Sequence, residues 1–330
     1  MTGMTADLIS DVLRVVRLDG AFFYKVEATE PWWVDSSAAM DELPRVLPDS
    51  EHLIPYHILV EGSCFGGLAG RAPVAMHAGD ILVFPGGAPH CMSSSPSERP
   101  PMGALQVTHG ERLPFEVRVG GAGARRAVFV CGFLGCDRRP FNPLLAALPE
   151  QMLVHGELEG WMATFAHQAL GQVGSARFGG EIVLTRLAEL MFVDVVLRYA
   201  ATLEAGRTGW LAGLRDEVVG RALALLHERP AHDWSLEELA LRASSSRSVL
   251  SERFTRLVGE PPMQYLTRWR MQLAAQRLGS SAAKIAAVAR EVGYESEAAF
   301  SRAFKREVGL SPAAWRARRL PAALREPAPG

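Results

Sequence analysis

The chain has 330 residues, enough for two domains that each bury a core of their own. Its 48% apolar and 22% charged composition is that of an ordinary globular protein, and no apolar run approaches the roughly 20 residues that span a bilayer. Net charge is −1 but divided: from Leu211 onward Lys and Arg outnumber Asp and Glu by 19 to 13, whereas the preceding part carries 16 against 23. A basic rear behind an acidic front predicts that only the rear meets a polyanion. The opening MTGMTADLIS has neither a basic nor an apolar signal region, so the expected location is the cytoplasm.

Residues 7–19 read as a short amphipathic helix. From about Ala21 to Cys136, short apolar stretches such as AFFYKVEA, YHILVEG, DILVFPG and RRAVFVCGF alternate with Gly, Pro and Ser clusters. That pattern predicts a β-sandwich or barrel. Strand signals stop after Pro149. Residues 181–200 predict a strongly apolar helix with Ile182, Leu187, Leu190, Met191, Val195 and Leu197 as buried candidates. Such a helix packs either on its own barrel or on a second copy, and a dimer contact is the favoured reading. Residues 201–213 read as an interdomain linker. Everything after it is helical in pattern.

The helical part contains an internal repeat. LEELALRASSSRSVLSERFTRLVGEPP is echoed by KIAAVAREVGYESEAAFSRAFKREVGLSP. Leu239-Ala240 matches Val288-Ala289 at an offset of 49, and Phe254, Gly259 and Pro262 match Phe304, Gly309 and Pro312 at 50. Each copy predicts two short helices across a tight turn. Ser235 with Glu238 forms an S-x-x-E capping box, and Ser246 and Ser296 are natural N-caps for the second helix of each copy. Leu250 with Phe254, and Phe300 with Phe304, occupy inward positions. The intervening MQYLTRWRMQLAAQRL predicts one long helix holding the two units apart.

These residues resemble the AraC family of bacterial regulators, most closely over IAAVAREVGYESEAAFSRAFKREVGLSPAAWR. The resemblance spans Leu214 to Arg316, within a helical domain expected over 214–320. It implies two helix-turn-helix units on double-stranded promoter DNA. The first copy departs from the family at Ser244-Ser245, where Gly and an apolar residue are usual. Outward positions of the second helices then face DNA: Arg247, Ser248, Ser251 and Glu252 in the first copy, and Glu297, Ala298, Ser301, Arg302 and Lys305 in the second. Arg247 and Arg302 are the base-reading candidates, because a guanidinium bonds guanine in bidentate fashion. Lys305, Arg306, Arg253 and Arg256 read as phosphate contacts or solvated charges.

In the front half, Gly79 to His90 fits G-x5-P-x-G-x2-H. It resembles the second motif of cupin β-barrels, which implies a cupin-type sensor over residues 8–150, followed by a helical dimerisation and linker region over 151–200. His57 and Glu61 keep an H-x3-E spacing, which on a regular strand puts both on one face. Pro55 stands where the first cupin motif has another His. A metal site of His57, Glu61 and His90 is one reading. Barrel-lining polar groups that bind a small molecule, or are satisfied in the core, are the other.

Cys64, Cys91, Cys131 and Cys136 are too few, in a chain of this kind, for a disulfide framework. They read as core thiols, as a metal site, or as an oxidant-responsive switch in which Arg138 and Arg139 favour a Cys136 thiolate. The expected architecture is therefore a multidomain chain, with a cupin-like β-barrel and flanking helices followed by an all-α double helix-turn-helix. The expected function is a regulator, not an enzyme, coupling a small-molecule, metal or redox signal to promoter binding as a homodimer. The family resemblance implies activation through RNA polymerase. A cupin-type metal-dependent enzyme carrying a DNA-binding appendage is the alternative.

Overall fold

The structure is a computed structural model, and it describes residues 8–13, 18–36, 41, 47, 50–100, 106–108, 115–136, 140–156, 170, 180–203 and 208–319. The chain forms two compact units. One comprises residues 18–137 and 148–202, and the other residues 1–17, 138–147 and 203–330.

The first unit is built on two sheets. The larger has seven strands in the order β11-β6-β3-β10-β1-β9-β8 and the smaller four in the order β2-β7-β4-β5. The strands are β1 Leu18–Thr29, β2 Trp33–Ser36, β3 His52–Glu61, β4 Ser63–Leu68, β5 Val74–His77, β6 Ile81–Val83, β7 His90–Ser93, β8 Gln106–Thr108, β9 Phe115–Gly120, β10 Arg126–Cys136 and β11 Met152–Val154. Pairing is antiparallel except between β1 and β9. Apolar side chains from both sheets, among them Leu59, Cys64, Met76, Leu82, Phe84, Phe129 and Cys131, share one core. β1 begins at Leu18, so the helix expected over 7–19 ends sooner, and its described part is 8–13.

A 23-residue helix, Gly180–Thr202, completes this unit. Leu184, Ala188, Met191, Phe192, Val195 and Val196 are its buried side chains. The expectation from sequence was half right. Met191 and Val195 are buried and Leu187 is half-buried, but Ile182, Leu190 and Leu197 are exposed. The helix is apolar on both sides, so periodicity could not say which side faces its own barrel. Val183, Leu190 and Leu197 recur every seven residues on the exposed side.

The second unit is helical. We number its helices after two earlier ones, α1 (Pro143–Ala147) and α2 (the Gly180–Thr202 helix). They are α3 Trp210–Arg215, α4 Glu217–Glu228, α5 Leu236–Arg242, α6 Arg247–Val258, α7 Pro262–Ser280, α8 Ile285–Glu291, α9 Glu297–Val308 and α10 Pro312–Arg319. The three serine N-caps read from the sequence form, but the reciprocal half of the capping box does not, since the Glu238 carboxylate bonds His232 and Arg242. Ser235, Ser246 and Ser296 accept hydrogen bonds from the amides of Glu238, Val249 and Ala299. α6 and α9 both end on a left-handed glycine, Gly259 and Gly309.

The two turns differ as the sequence suggests. Gly293 takes φ 85° and a Cβ there would lie 2.6 Å from the Ala231 carbonyl oxygen. Its counterpart Ser244 adopts φ 56°, the one non-glycine with positive φ among the described residues. A side chain in that region costs roughly 1–2 kcal/mol. Ser244 Oγ accepts a hydrogen bond from Arg221, which offsets part of it.

α7 carries both cores. Tyr265, Leu266 and Trp269 are buried, and so are Met271, Ala274, Ala275 and Leu278 one to three turns later. The second group packs with Val288, Phe300, Phe304 and Trp315. Beside the first group, the buried Tyr265 hydroxyl is 2.7 Å from His227 Nε2 and 2.9 Å from Trp210 Nε1, which donates to it. Residues 140–147 pack on the same helix. The Phe141 amide donates to Gln272 Oε1 at 2.9 Å, the Phe141 ring meets Tyr265 edge-on, and the Arg268 guanidinium lies 4.1 Å from that ring.

Burial lowers the His227 pKa to about 3. A histidine depressed in the folded state holds fewer protons than the same residue unfolded near 6.5, so its contribution is fully present above pH 6.5 and is lost as pH falls towards 3. Between pH 7 and 5 the loss is about 2 kcal/mol. Urea unfolding of wild type and His227→Asn at both pH values should show that drop in wild type and a flatter response in the variant.

Candidate ligand-sensing core and nucleic-acid interface

His57 lies on β3 and pairs in register with Cys131 on β10 and Leu82 on β6. His90 opens β7 in the facing sheet. Both rings are buried, and their Nε2 atoms meet at 2.8 Å. His57 Nδ1 is 3.0 Å from Cys131 Sγ, and His90 Nδ1 is 3.0 Å from the Ala88 carbonyl oxygen. These contacts fix the tautomers. A carbonyl only accepts, so His90 Nδ1 carries the proton and its Nε2 a lone pair. His57 Nε2 therefore donates to His90, and His57 Nδ1 accepts from the Cys131 thiol. The chain Cys131–His57–His90–Ala88 is directional and uncharged. Burial holds His57 well below its usual pKa, with His90 adding to the effect, and lowers His90 as well. Phe84 stacks on His90 with ring centroids 4.1 Å apart.

Glu61 does not join this group. Between Leu59, paired with Phe129, and Glu61, paired with Val128, the ladder holds one extra residue on β3, and Glu61 is exposed. The bulge breaks the period of two on which the H-x3-E reading rested. Both ring nitrogens of His57 are already engaged. Among the described residues, no three His, Cys, Asp or Glu side chains converge as a metal-ligand set. The His57, Glu61 and His90 triad is therefore not assembled.

The four cysteines are free and buried. Cys64 and Cys131 share the barrel core, Cys91 lies on β7, and Cys136 ends β10 opposite His52. Burial raises Cys64 to about 12, and it also raises Cys131 and Cys91. These three thiols stay protonated at neutral pH, the opposite of the lowered pKa that makes a reactive cysteine. Arg138 and Arg139, read as partners of Cys136, lie outside the described residues.

His90 and Cys91 also border a cleft of about 760 Å³, lined further by Trp33, Asp35, Arg71 and Arg99. Arg99 pairs with Asp35 and lies 5.4 Å from the Trp33 ring centre. Sequence reasoning singled out His90 and Cys91 but missed the rest of this cleft, because its other walls come from β2 and from loops that carry no motif.

In the helical unit, α6 and α9 present matching surfaces. Leu250 and Phe254 on α6, and Phe300 and Phe304 on α9, are buried at equivalent positions. Arg247, Ser248, Glu252, Glu297, Ala298, Arg302 and Lys305 are exposed, and Ser251 and Ser301 are half-buried. All the residues picked as outward-facing lie on the side turned away from the core. They differ in availability. Arg247 is held by Glu237 at 2.7 Å and Arg253 by Asp216, the N-cap of α4. Arg306 pairs with Glu307. Arg302 and Lys305 form no salt bridge among the described residues.

The cupin family profile matches residues 7–201, and a helix-turn-helix profile matches residues 239–318. A putative AraC-like transcription regulator of Streptomyces lividans is 33% identical over 275 residues, 81% of this chain and 88% of that protein. A second putative AraC-like regulator, from Streptomyces antibioticus, is 42% identical over 167 residues, covering 51% of this chain and 54% of its own length. The regulator AlkR of Acinetobacter baylyi is 28% identical over 315 residues, 94% and 99% of the two chains. Among the described residues, no helix is long and apolar enough to cross a membrane.

One prediction tests the histidine chain. Cys131→Ser keeps a donor for His57 Nδ1, whereas Cys131→Ala leaves that buried nitrogen unpaired, at a cost of about 1–3 kcal/mol. Thermal melts should place the serine variant near wild type and the alanine variant clearly below both. The cupin barrel and the paired helix-turn-helix, found on one chain with relatives that match along most of its length, identify it as a DNA-binding transcription regulator of the AraC family.

Proposed function

We propose that the chain is a one-component activator, in which a small molecule bound in the cupin-like unit changes how a homodimer holds promoter DNA and presents it to RNA polymerase. The observation that carries the DNA-contact half is the face of α9. Arg302 and Lys305 stand exposed, with no salt bridge among the described residues, opposite a core of Phe300 and Phe304. Arg302 reads a guanine edge and Lys305 neutralises a phosphate. The relatives favour regulation over catalysis, since all three of these carry regulator names.

For the signal, the cleft beside His90 favours a small molecule. The protonated, buried thiols speak against a fast oxidant response, and the open side of Glu61 speaks against the metal reading. A ligand touching His90 reaches the Cys131–His57 chain through one hydrogen bond.

Fluorescence anisotropy with promoter duplex tests the DNA contacts. Arg302→Ala should cost roughly 1–3 kcal/mol of discrimination between cognate and unrelated DNA. Lys305→Ala should weaken both alike and lower the salt slope by about one. Equal loss on both duplexes in the Arg302 variant would remove its base-reading role.

The seven-residue spacing of Val183, Leu190 and Leu197 on α2 supports the homodimer, because these exposed apolar side chains repeat at one of the two positions per heptad that paired helices bury. Sedimentation should find wild type dimeric and Leu190→Glu monomeric. A monomeric wild type at micromolar concentration ends this part of the reading.

A further inference from the structure

The two recognition helices carry opposite charges at the same place. Aligned at the offset of 50 set by Phe254 and Phe304, Ser251 matches Ser301 and Glu252 matches Arg302. At 100° per residue, Glu252 lies about 200° around α6 from Leu250 and so points away from the core. The structure agrees, with Leu250 and Phe254 buried and Glu252 exposed.

Glu252 also has no ion-pair partner among the described residues. The other acidic groups of the first helix-turn-helix are engaged: Glu237 with Arg247, Glu238 with Arg242 and His232, and Asp216 with Arg253. Arg256, one turn further along α6, makes no salt bridge with it. The same pairs tie down Arg247 and Arg253, so α6 does not present a free guanidinium at the centre of its outward face.

A bare carboxylate facing DNA is repelled by the phosphates unless it accepts a hydrogen bond. The major groove offers it two donors, the N4 amine of cytosine and the N6 amine of adenine. In adenine the amine sits beside the N7 lone pair, which repels a carboxylate. Cytosine presents the donor without an acceptor of its own in the groove. We propose that Glu252 is a specificity-determining residue that reads cytosine in the first major groove, while Arg302 at the equivalent position reads guanine in the next. The bound sequence then carries a C and a G about one helical turn, roughly 10 base pairs, apart. This inference rests on the reading of the α6 and α9 faces as DNA-facing.

The test is selection of the full chain on a duplex pool randomised over about 25 base pairs, run with wild type, Glu252→Gln and Arg302→Ala, followed by anisotropy on the selected duplexes. Glu252 is exposed, and the glutamine is nearly isosteric, so thermal melts should coincide with wild type. Wild type should enrich C at one position and G about a turn away, with C preferred about tenfold over other bases. Glu252→Gln should change the C to A, since a glutamine pairs with adenine N6 and N7, and should leave the G intact. Arg302→Ala should lose the G and keep the C. An unchanged C preference in Glu252→Gln overturns the proposal, as does a wild-type pool that enriches G but shows no preference at the other position. A pool enriched at neither position overturns it together with the reading of both helix faces.

Discussion

The helical unit depends on one rigid element serving two cores. α7 runs from Pro262 to Ser280 and buries its first half against α4 and α6 and its second half against α8 and α9. At 1.5 Å per residue it is about 28 Å long. Two recognition helices hung on such a beam cannot drift independently, because moving either one means breaking contacts with Tyr265 or with Leu278. The close packing of those contacts makes the separation of the two surfaces a property of the sequence of α7, not of a loop.

The sensing unit is governed by a different constraint. Its core accepts two histidines only because each ring nitrogen finds a partner, and only in one protonation pattern. A third proton would have to enter at His57 Nδ1 or His90 Nε2, each already accepting a hydrogen bond, and would bury a charge, which burial disfavours in both rings. The Ala88 carbonyl, at the Pro-Gly turn of the cupin-type motif, sets the direction of the whole chain. That turn orients His90, and His90 orients His57 and the thiol behind it.

Much of this was legible in the sequence because it is local. Serine caps and the phenylalanines one turn apart depend on neighbours within a few residues, and each is found where the pattern placed it. His90 was legible as an inward residue for the same reason. What failed depended on partners distant in the chain. The bulge that turns Glu61 outward is a mismatch between β3 and β10, 67 residues apart at the Glu61–Val128 pair, and no spacing within β3 reveals it. Leu190 and Leu197 were apolar on a helix that is apolar all round, so composition could not divide the inner from the outer side. The pairing of Arg247 with Glu237 separates two arginines that look alike in sequence.

The segment around Phe141 has a consequence for how such proteins are divided and recombined. It lies in the chain between two barrel strands, yet its amide fills Gln272, and its ring covers Tyr265 and Arg268 on α7. The helical unit is therefore not contiguous in the gene. A fragment begun at Leu203 leaves the Gln272 oxygen and the apolar flank of Tyr265 uncovered. Grafting this unit onto a foreign front half carries the same deficit unless the host supplies a peptide in that place. Modularity here ends at a handful of residues, and a transplanted reader of DNA must bring them along.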